Sequence, residues 1–149
     1  MGVHPECYWF DHTKMVETLA QIGITYTMAD KEAESVPFID VKDASFLKRS
    51  WRYEPELQLM VCPIEHDSID KMLTMCVASK TVSPELQAVA VLDTACREYF
   101  WYGKKTFMEK RKLFEDWIAE LNLDVYMDRD LPNWDQLISE FKQNSQLRN

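Results

Sequence analysis

Three cations among aromatic and apolar residues are the clearest chemical feature of this 149-residue chain. The segment Phe46–Tyr53 reads Phe-Leu-Lys-Arg-Ser-Trp-Arg-Tyr and contains Lys48, Arg49 and Arg52. Its aromatic residues favour an extended backbone, and Leu57–Val61, beyond a proline turn, predicts the returning strand. We therefore predict a β-hairpin whose tip or edge presents the three cations. Cations held in this way suit the phosphates of a nucleic-acid backbone, although a plain solvated hairpin accounts for the same residues.

Histidine and cysteine near the N-terminus suggest a second kind of site. His4, Cys7 and His12 have the residue types of a zinc site and include a His-x-x-Cys spacing. No fourth ligand lies at a suitable spacing, so we predict no metal site. The cysteines are widely spread and form no Cys-x-x-Cys pair, which favours a reduced, intracellular protein. Cys76 and Cys96 fall on apolar helical faces, where we expect core packing.

The elements before the hairpin are predicted to be one helix and one strand. Asp11 or Thr13 can cap a helix that runs to Ile22 with apolar residues on one stripe. Gly23 is placed to end it in the left-handed conformation. The segment Ile24–Met28 alternates apolar residues with threonines and predicts a short strand.

Beyond Ile64 the apolar spacing becomes helical. Helix starts, marked by a capping residue or by a loop that precedes an apolar stripe, are predicted at Asp67 or Ser68, at Ser83, near Lys105 and beyond Pro132. Gly103 interrupts the long helical pattern. The predicted fold is therefore α+β, with a mixed piece over residues 1–62 and an all-helical piece over residues 63–149.

Composition narrows the functional classes. The chain is 46% hydrophobic, so it is a folding sequence, and it has no apolar run long enough for a membrane span. The net charge of −8 counts against a free-standing nucleic-acid binder. The charge is uneven, however, because basic residues cluster at the hairpin and again over Lys104–Lys112, whereas the last third is acidic.

Three short motifs in order resemble one protein family. Phe46-Leu47-Lys48-Arg49 resembles motif E, the primer-grip hairpin of RNA-directed RNA polymerases from picorna-like positive-strand RNA viruses. Leu19–Thr27 with Ala29-Asp30-Lys31 is similar to motif D of these enzymes, and Cys62–Leu73 resembles the start of their thumb domain. The resemblance spans Trp9–Trp117. It implies the C-terminal end of a polymerase palm over residues 1–62, followed by a helical thumb.

The resemblance also implies roles for single residues. Lys31 matches the motif D lysine, the general acid that protonates the pyrophosphate leaving group, whereas without the family it is an exposed loop lysine. Lys48 and Arg49, with Arg52 beside them, match the cations that hold the primer backbone. Phe46 and Leu47 belong to the same RNA-binding motif, and we expect them to pack the hairpin.

The catalytic aspartates of the family are missing from this chain. Its motif C carries Gly-Asp-Asp, which does not occur here, and aspartates of motifs A and C hold the Mg²⁺ ions of the reaction. We therefore expect a C-terminal fragment that is inactive alone and whose Mg²⁺ ligands lie outside it. Its partners would be primer–template RNA, nucleoside triphosphates and the rest of the palm and fingers. It would act in the host cytoplasm at viral replication complexes.

The missing sheet predicts exposed apolar surface at Ile24–Met28 and on the hairpin. The alternative is a small, mostly helical RNA-binding or scaffold protein without enzymatic activity. A scaffold predicts a self-contained core and no RNA binding at Lys48 and Arg49.

Overall fold

Five α-helices and two small two-stranded sheets make up the part of the chain, residues 4–146, that this computed structural model describes. The helices are α1 (His12–Ala20), α2 (His66–Thr74), α3 (Pro84–Phe100), α4 (Lys104–Glu120) and α5 (Trp134–Gln146). The strands are β1 (Ser45–Phe46), β2 (Arg49–Ser50), β3 (Arg52–Glu54) and β4 (Leu59–Val61). The predicted α+β class is confirmed. Over these residues, no helix combines the length and hydropathy that crossing a bilayer requires.

The chain divides into two compact units, Met1–Ser45 and Phe46–Asn149. The hairpin formed by β3 and β4 belongs to the same unit as helices α2 to α5. The division into palm and thumb near residue 63 concerns the domains of a family, so it stays a prediction.

Helix α1 is capped at both ends by the predicted residues. The Asp11 carboxylate accepts a hydrogen bond from the backbone N–H of Lys14 at 2.9 Å, and this bond lowers the pKa of Asp11. Gly23 has φ +76°, the left-handed conformation that ends many helices. Among the side chains described in residues 4–45, no apolar side chain is buried. This unit therefore has no apolar core of its own.

The predicted strand over Ile24–Met28 is wrong, because the segment has no regular structure. The backbone N–H of Ile24 bonds back to the Leu19 carbonyl of α1 at 3.0 Å instead. A strand needs a neighbour to pair with, and within residues 4–45 no named strand lies before β1. The side chains of Ile24 and Tyr26 are exposed, so the predicted apolar surface is confirmed there.

The core of the second unit lies among helices α2 to α5 and the segment before α5. Helix α3 supplies the most buried residues, and α4 packs beside it. The buried residues are Ile69, Leu92, Ala95, Cys96, Tyr99, Phe100, Phe107, Phe114, Ile118, Leu123, Leu131, Trp134 and Leu137. Core packing of Cys96 is confirmed, and burial raises the pKa of its thiol to about 12. Core packing of Cys76 is wrong, because α2 ends at Thr74 and leaves that thiol exposed.

Two predicted helix starts have different outcomes. The start at Ser83 is confirmed, since its hydroxyl accepts the Leu86 N–H at 3.3 Å and proline follows it. The start of α2 at Asp67 or Ser68 is wrong, because Glu65 is the N-terminal flanking residue. Its carbonyl accepts the Ser68 N–H at 3.1 Å, so the helical turns begin earlier than the serine.

We predict that Phe107→Ala lowers the free energy of unfolding by about 3–5 kcal/mol, because it leaves a cavity beside Trp134 and Phe100. Met108→Ala is the control, since the neighbouring side chain is about half exposed and its loss should change stability by about 0.5 kcal/mol at most. Urea unfolding followed by circular dichroism measures both. Equal losses from the two variants would contradict the buried position of Phe107.

Candidate nucleic-acid interface

The basic segment forms two successive turns. Leu47 and Lys48 connect β1 to β2, and both have positive φ, +51° and +62°. This is the backbone geometry of a two-residue hairpin turn, which usually requires glycine or asparagine. Lys48 therefore lies at the tip of a tight turn, in a separate hairpin that precedes the predicted one. The second turn joins β3 to β4, which pair antiparallel with Tyr53 opposite Met60.

Lys48 makes one solvent-exposed ion pair. Its Nζ lies 2.7 Å from Oε1 of Glu65, while its carbonyl accepts the Glu65 N–H at 2.8 Å. The hydrogen bond between the side chains raises the pKa of Lys48 and lowers the pKa of Glu65. Their side chains are 56% and 44% exposed, so water screens the attraction and the pair contributes little to stability. A phosphate can therefore compete with Glu65 for the ammonium group of Lys48.

Arg49 makes stronger contacts than its neighbour. Its two terminal nitrogens donate to both carboxylate oxygens of Glu98, at 3.0 Å and 2.7 Å. Nη1 also donates to the Cys62 carbonyl at 2.9 Å. The hydrogen bonds to Glu98 raise the pKa of Arg49. A bidentate, partly buried pair of this kind is much stronger than a single exposed contact, so Arg49 links β2 to α3.

Arg52 points to the same end of α3. Its Nη1 donates to the carbonyl of Trp101, the residue that follows α3, at 2.8 Å, and it lies 3.0 Å from Oε2 of Glu54. Glu54 is buried, and Oε2 has no aligned hydrogen-bond donor among the described residues, so the ion pair with Arg52 is what compensates its charge. Arg52 thus completes the second contact between the hairpins and α3.

Gly103 makes room for this buried ion pair. A Cβ atom at this position would lie 2.9 Å from Oε2 of Glu54 and 3.7 Å from both terminal nitrogens of Arg52. Its φ is +91°, which side chains rarely allow. The glycine that interrupts the predicted helix is therefore required twice, once by its backbone and once by its neighbours.

The apolar residues of the hairpins are largely exposed. Phe46 and Leu47 are 72% and 76% exposed, so their predicted packing role is wrong. The strands beside this turn have two residues each, too few to carry a packed face. On the second hairpin, Tyr53 and Met60 are exposed on one face, while Glu54 and Val61 are buried on the other. The predicted apolar surface of the hairpin is therefore confirmed.

Two cations of the basic run on α4 pair with acidic residues of the same helix. Lys112 lies 2.6 Å from Asp116, and Arg111 lies 2.7 Å from Glu115, each one turn away. Arg111 also donates to the carbonyls of Leu131 and Pro132. These contacts match the solvated, self-paired helix face that interleaved charges predict.

Lys31 belongs to the unit Met1–Ser45, whereas the predicted RNA-binding residues belong to Phe46–Asn149. It is exposed in a turn in which the Asp30 carboxylate accepts the Glu32 N–H at 3.1 Å. Within residues 4–146 its ammonium group has no hydrogen bond or ion pair. It is therefore free to meet an anionic group from solution.

The candidate metal ligands are engaged elsewhere. His4 accepts the Glu6 N–H, and His12 Nδ1 lies 2.8 Å from the Ser35 hydroxyl. Over residues 4–146, no group of three histidine, cysteine or acidic side chains is placed to hold a metal ion.

The partners of the cations were not predictable from local sequence. Glu98 and Trp101 lie 49 residues beyond Arg49 and Arg52 on a helix whose pattern reports only its apolar stripe. Glu65 lies within the stretch Cys62–Leu73, where the sequence indicates no separate role for this residue. A sequence feature that could have indicated the contact of Arg52 and Glu54 with this region is Gly103, a glycine between two predicted helices.

Comparison with known proteins finds two viral relatives. The chain is 29% identical to the replicase polyprotein of Drosophila C virus over 103 residues, 69% of this chain and 6% of the relative. It is also 29% identical to the replicase polyprotein of Cricket paralysis virus over 108 residues, 72% of this chain and 6% of the relative. The chain thus spans a small part of the length of these proteins. No protein-family model matches it.

We predict that Gly103→Ala destabilises the second unit by about 1–3 kcal/mol, the cost of a side chain in a glycine-only backbone conformation, with a further loss from displacing the Glu54 carboxylate. The free energy of unfolding in urea measures the loss. The control is the same substitution in a Glu54→Ala background, where only the backbone cost remains. An equal loss in both backgrounds would mean that the carboxylate does not occupy this space.

The pKa of Glu65 gives a test of the exposed pair. Because the folded pKa is lowered, the stability that this carboxylate contributes is present above its unfolded pKa and is lost as pH falls through the folded pKa. Lys48→Gln should raise the pKa of Glu65 toward its ordinary value, though not fully, because Ser68 also donates to it. Carboxyl ¹³C shifts measured against pH report this, and Lys142→Gln should leave the Glu65 titration unchanged.

Proposed function

We propose that this chain is part of a viral RNA-directed RNA polymerase, which catalyses template-directed nucleotidyl transfer in viral RNA replication. The observation that carries the proposal is the likeness to two viral replicase polyproteins over about 70% of the chain. The resemblance to motif D, motif E and the thumb supports the polymerase as the relevant part of a replicase.

The hairpins would form the primer grip of this polymerase. Lys48 stands at the tip of a tight turn with a partner that water already screens, so a phosphate of the primer strand can replace Glu65. Exposed Phe46 and Leu47 beside it offer apolar surface to the sugar edge of the strand or to another part of the enzyme. The role is positioning, because a fixed primer end brings its hydroxyl to the incoming nucleotide.

Lys31 would act as the general acid of the reaction. When the primer hydroxyl attacks the α-phosphorus, the bond to pyrophosphate breaks and the leaving oxygen gains negative charge. A protonated Lys31 can transfer its proton to that oxygen or neutralise it. The exposed, unpaired ammonium group described above supports this role.

The remaining chemistry would come from other parts of the polymerase. Mg²⁺ bound by palm aspartates supplies charge stabilisation in this reaction class. Residues 4–146 do not assemble such a site, so we expect this chain to need the rest of the palm and fingers and to be inactive alone. Primer–template RNA and nucleoside triphosphates are the proposed substrates. Viral replication complexes in the host cytoplasm are the proposed location.

A small RNA-binding or scaffold protein is the second candidate. The apolar core formed by helices α2 to α5 favours it, because this core closes without another chain. The two candidates differ in what the hairpins bind. A scaffold needs no RNA contact at Lys48, whereas a small RNA-binding protein and a polymerase both need one.

We predict that the full chain binds a fluorescent primer–template RNA with an affinity that falls steeply with salt, and that Lys48→Gln reduces the slope of log K against log salt by about 0.9, the value for one phosphate contact. Fluorescence anisotropy over a range of salt concentrations measures this.

Lys142→Gln is the matched control, since it removes the same charge from an exposed position on α5. It should leave the slope unchanged. Equal effects of the two substitutions, or the absence of RNA binding, would contradict a primer grip at Lys48 and would favour the scaffold.

A further inference from the structure

The two hairpins are fastened to the C-terminal end of α3 by two arginines. Arg49 donates to the Glu98 carboxylate, and Arg52 donates to the Trp101 carbonyl. We call these two contacts the latch. Glu98 lies in the last turn of α3 and Trp101 is the residue that follows it, while the opposite side of this helix is buried in the core. The backbone bond from the Ser50 N–H to the Pro63 carbonyl, at 3.2 Å, joins β2 to the segment that follows β4.

Glu98 and a phosphate compete for the same face of Arg49. A guanidinium binds carboxylates and phosphates in the same way, through two parallel N–H donors. In Arg49 both terminal nitrogens already donate to Glu98, and Nη1 donates to Cys62 as well. Binding a phosphate end-on, through both terminal nitrogens, would therefore break the contact with Glu98 and leave that carboxylate, which is 21% exposed, without its partner.

Lys48 differs from Arg49 in both respects. It is 56% exposed against 37% for Arg49, and its single ammonium contact is to an exposed carboxylate. A phosphate that replaces Glu65 leaves that carboxylate in water, where its charge is solvated at little cost. The two adjacent cations therefore have unequal access to a nucleic acid, although the sequence presents them as equivalent.

We propose that Glu98 is a positioning residue of the primer grip: it keeps Arg49 in the latch and away from RNA, so that Lys48 is the cation that meets the phosphate. This inference rests on the proposed function, because it assigns the division of labour within that site. It also makes the hairpin position depend on α3, so that a shift of this helix would carry Lys48 with it.

The test compares Glu98→Gln with a charge-exchanged variant, Arg49→Glu with Glu98→Arg, in the full chain. Hydrogen exchange at the Ser50 and Glu65 amides, which bond to Pro63 and Lys48, reports whether the hairpin stays attached. Anisotropy with the primer–template RNA gives affinity and salt slope. Circular dichroism establishes that each variant is folded.

Glu98→Gln should raise the exchange rate of both amides at least about tenfold, which corresponds to about 1.4 kcal/mol. It should also increase the salt slope of RNA binding by about 0.9, because the freed Arg49 can then meet a phosphate. The charge-exchanged variant should restore amide protection, affinity and the original salt slope. Glu140→Gln is the matched control, because Glu140 pairs with Arg97 of the same helix but does not touch the hairpins. It should leave both amides and the RNA affinity unchanged.

Two results would overturn the inference. Amide exchange in Glu98→Gln equal to that in Glu140→Gln would mean that Glu98 does not hold the hairpin. The second concerns the charge-exchanged variant. If its amide protection is restored but its salt slope is lower by about 0.9, Arg49 itself contacts a phosphate. If the charge-exchanged variant does not fold, the amide exchange rates of Glu98→Gln decide whether Glu98 holds the hairpin. If the unsubstituted chain does not bind RNA, the proposed function is contradicted. The amide exchange rates would still show whether the latch exists.

Discussion

The position of the basic hairpins depends on the bidentate contact between Arg49 and Glu98. The strands are two or three residues long, so their own ladder bonds cannot hold them in place. A partly buried guanidinium–carboxylate pair, aided by Arg52 on the Trp101 carbonyl, provides an attachment that the short ladders lack. Because Glu98 stands on α3, the rigid helical core sets where the hairpins lie.

This attachment changes what the charges of the chain can do. The chain carries a net charge of −8, and several cations of the second unit are paired within it. Arg49 and Arg52 serve the attachment, and Arg111 and Lys112 pair with acidic residues of their own helix, α4. Lys48 and Lys31 are both exposed, so an anionic ligand can reach them. An acidic chain can thus offer positive charge at defined points instead of over a whole surface.

The two units differ in how far they support themselves. The second unit buries aromatic residues of α3, α4 and α5 against one another, whereas no apolar side chain described in residues 4–45 is buried. Hydrophobic burial is the dominant favourable term in folding, so the first unit has little to hold its turn around Lys31 in place. A general acid requires a fixed position. The proposed role of Lys31 therefore implies that other parts of a polymerase cover this unit.

The sequence alone determined what depends on near neighbours. Helix caps at Asp11 and Ser83 and the stops at Gly23 and Gly103 were predictable, because capping and positive φ are properties of a few adjacent residues. The helical stripes around Cys96 and Phe107 also follow from spacing. The strand at Ile24–Met28 was not formed, because alternation cannot supply a pairing neighbour.

Tertiary structure alone decided the site. Lys48 and Arg49 are adjacent and look alike in sequence, yet Lys48 pairs with an exposed carboxylate and Arg49 with a partly buried one 49 residues away. Phe46 and Leu47 are apolar and were expected to pack, but no layer within residues 4–146 covers them. Partner choice and burial depend on contacts between residues that are distant in the chain. The local sequence pattern contains no information on such contacts. It therefore indicated where the cations are, but not that their roles differ.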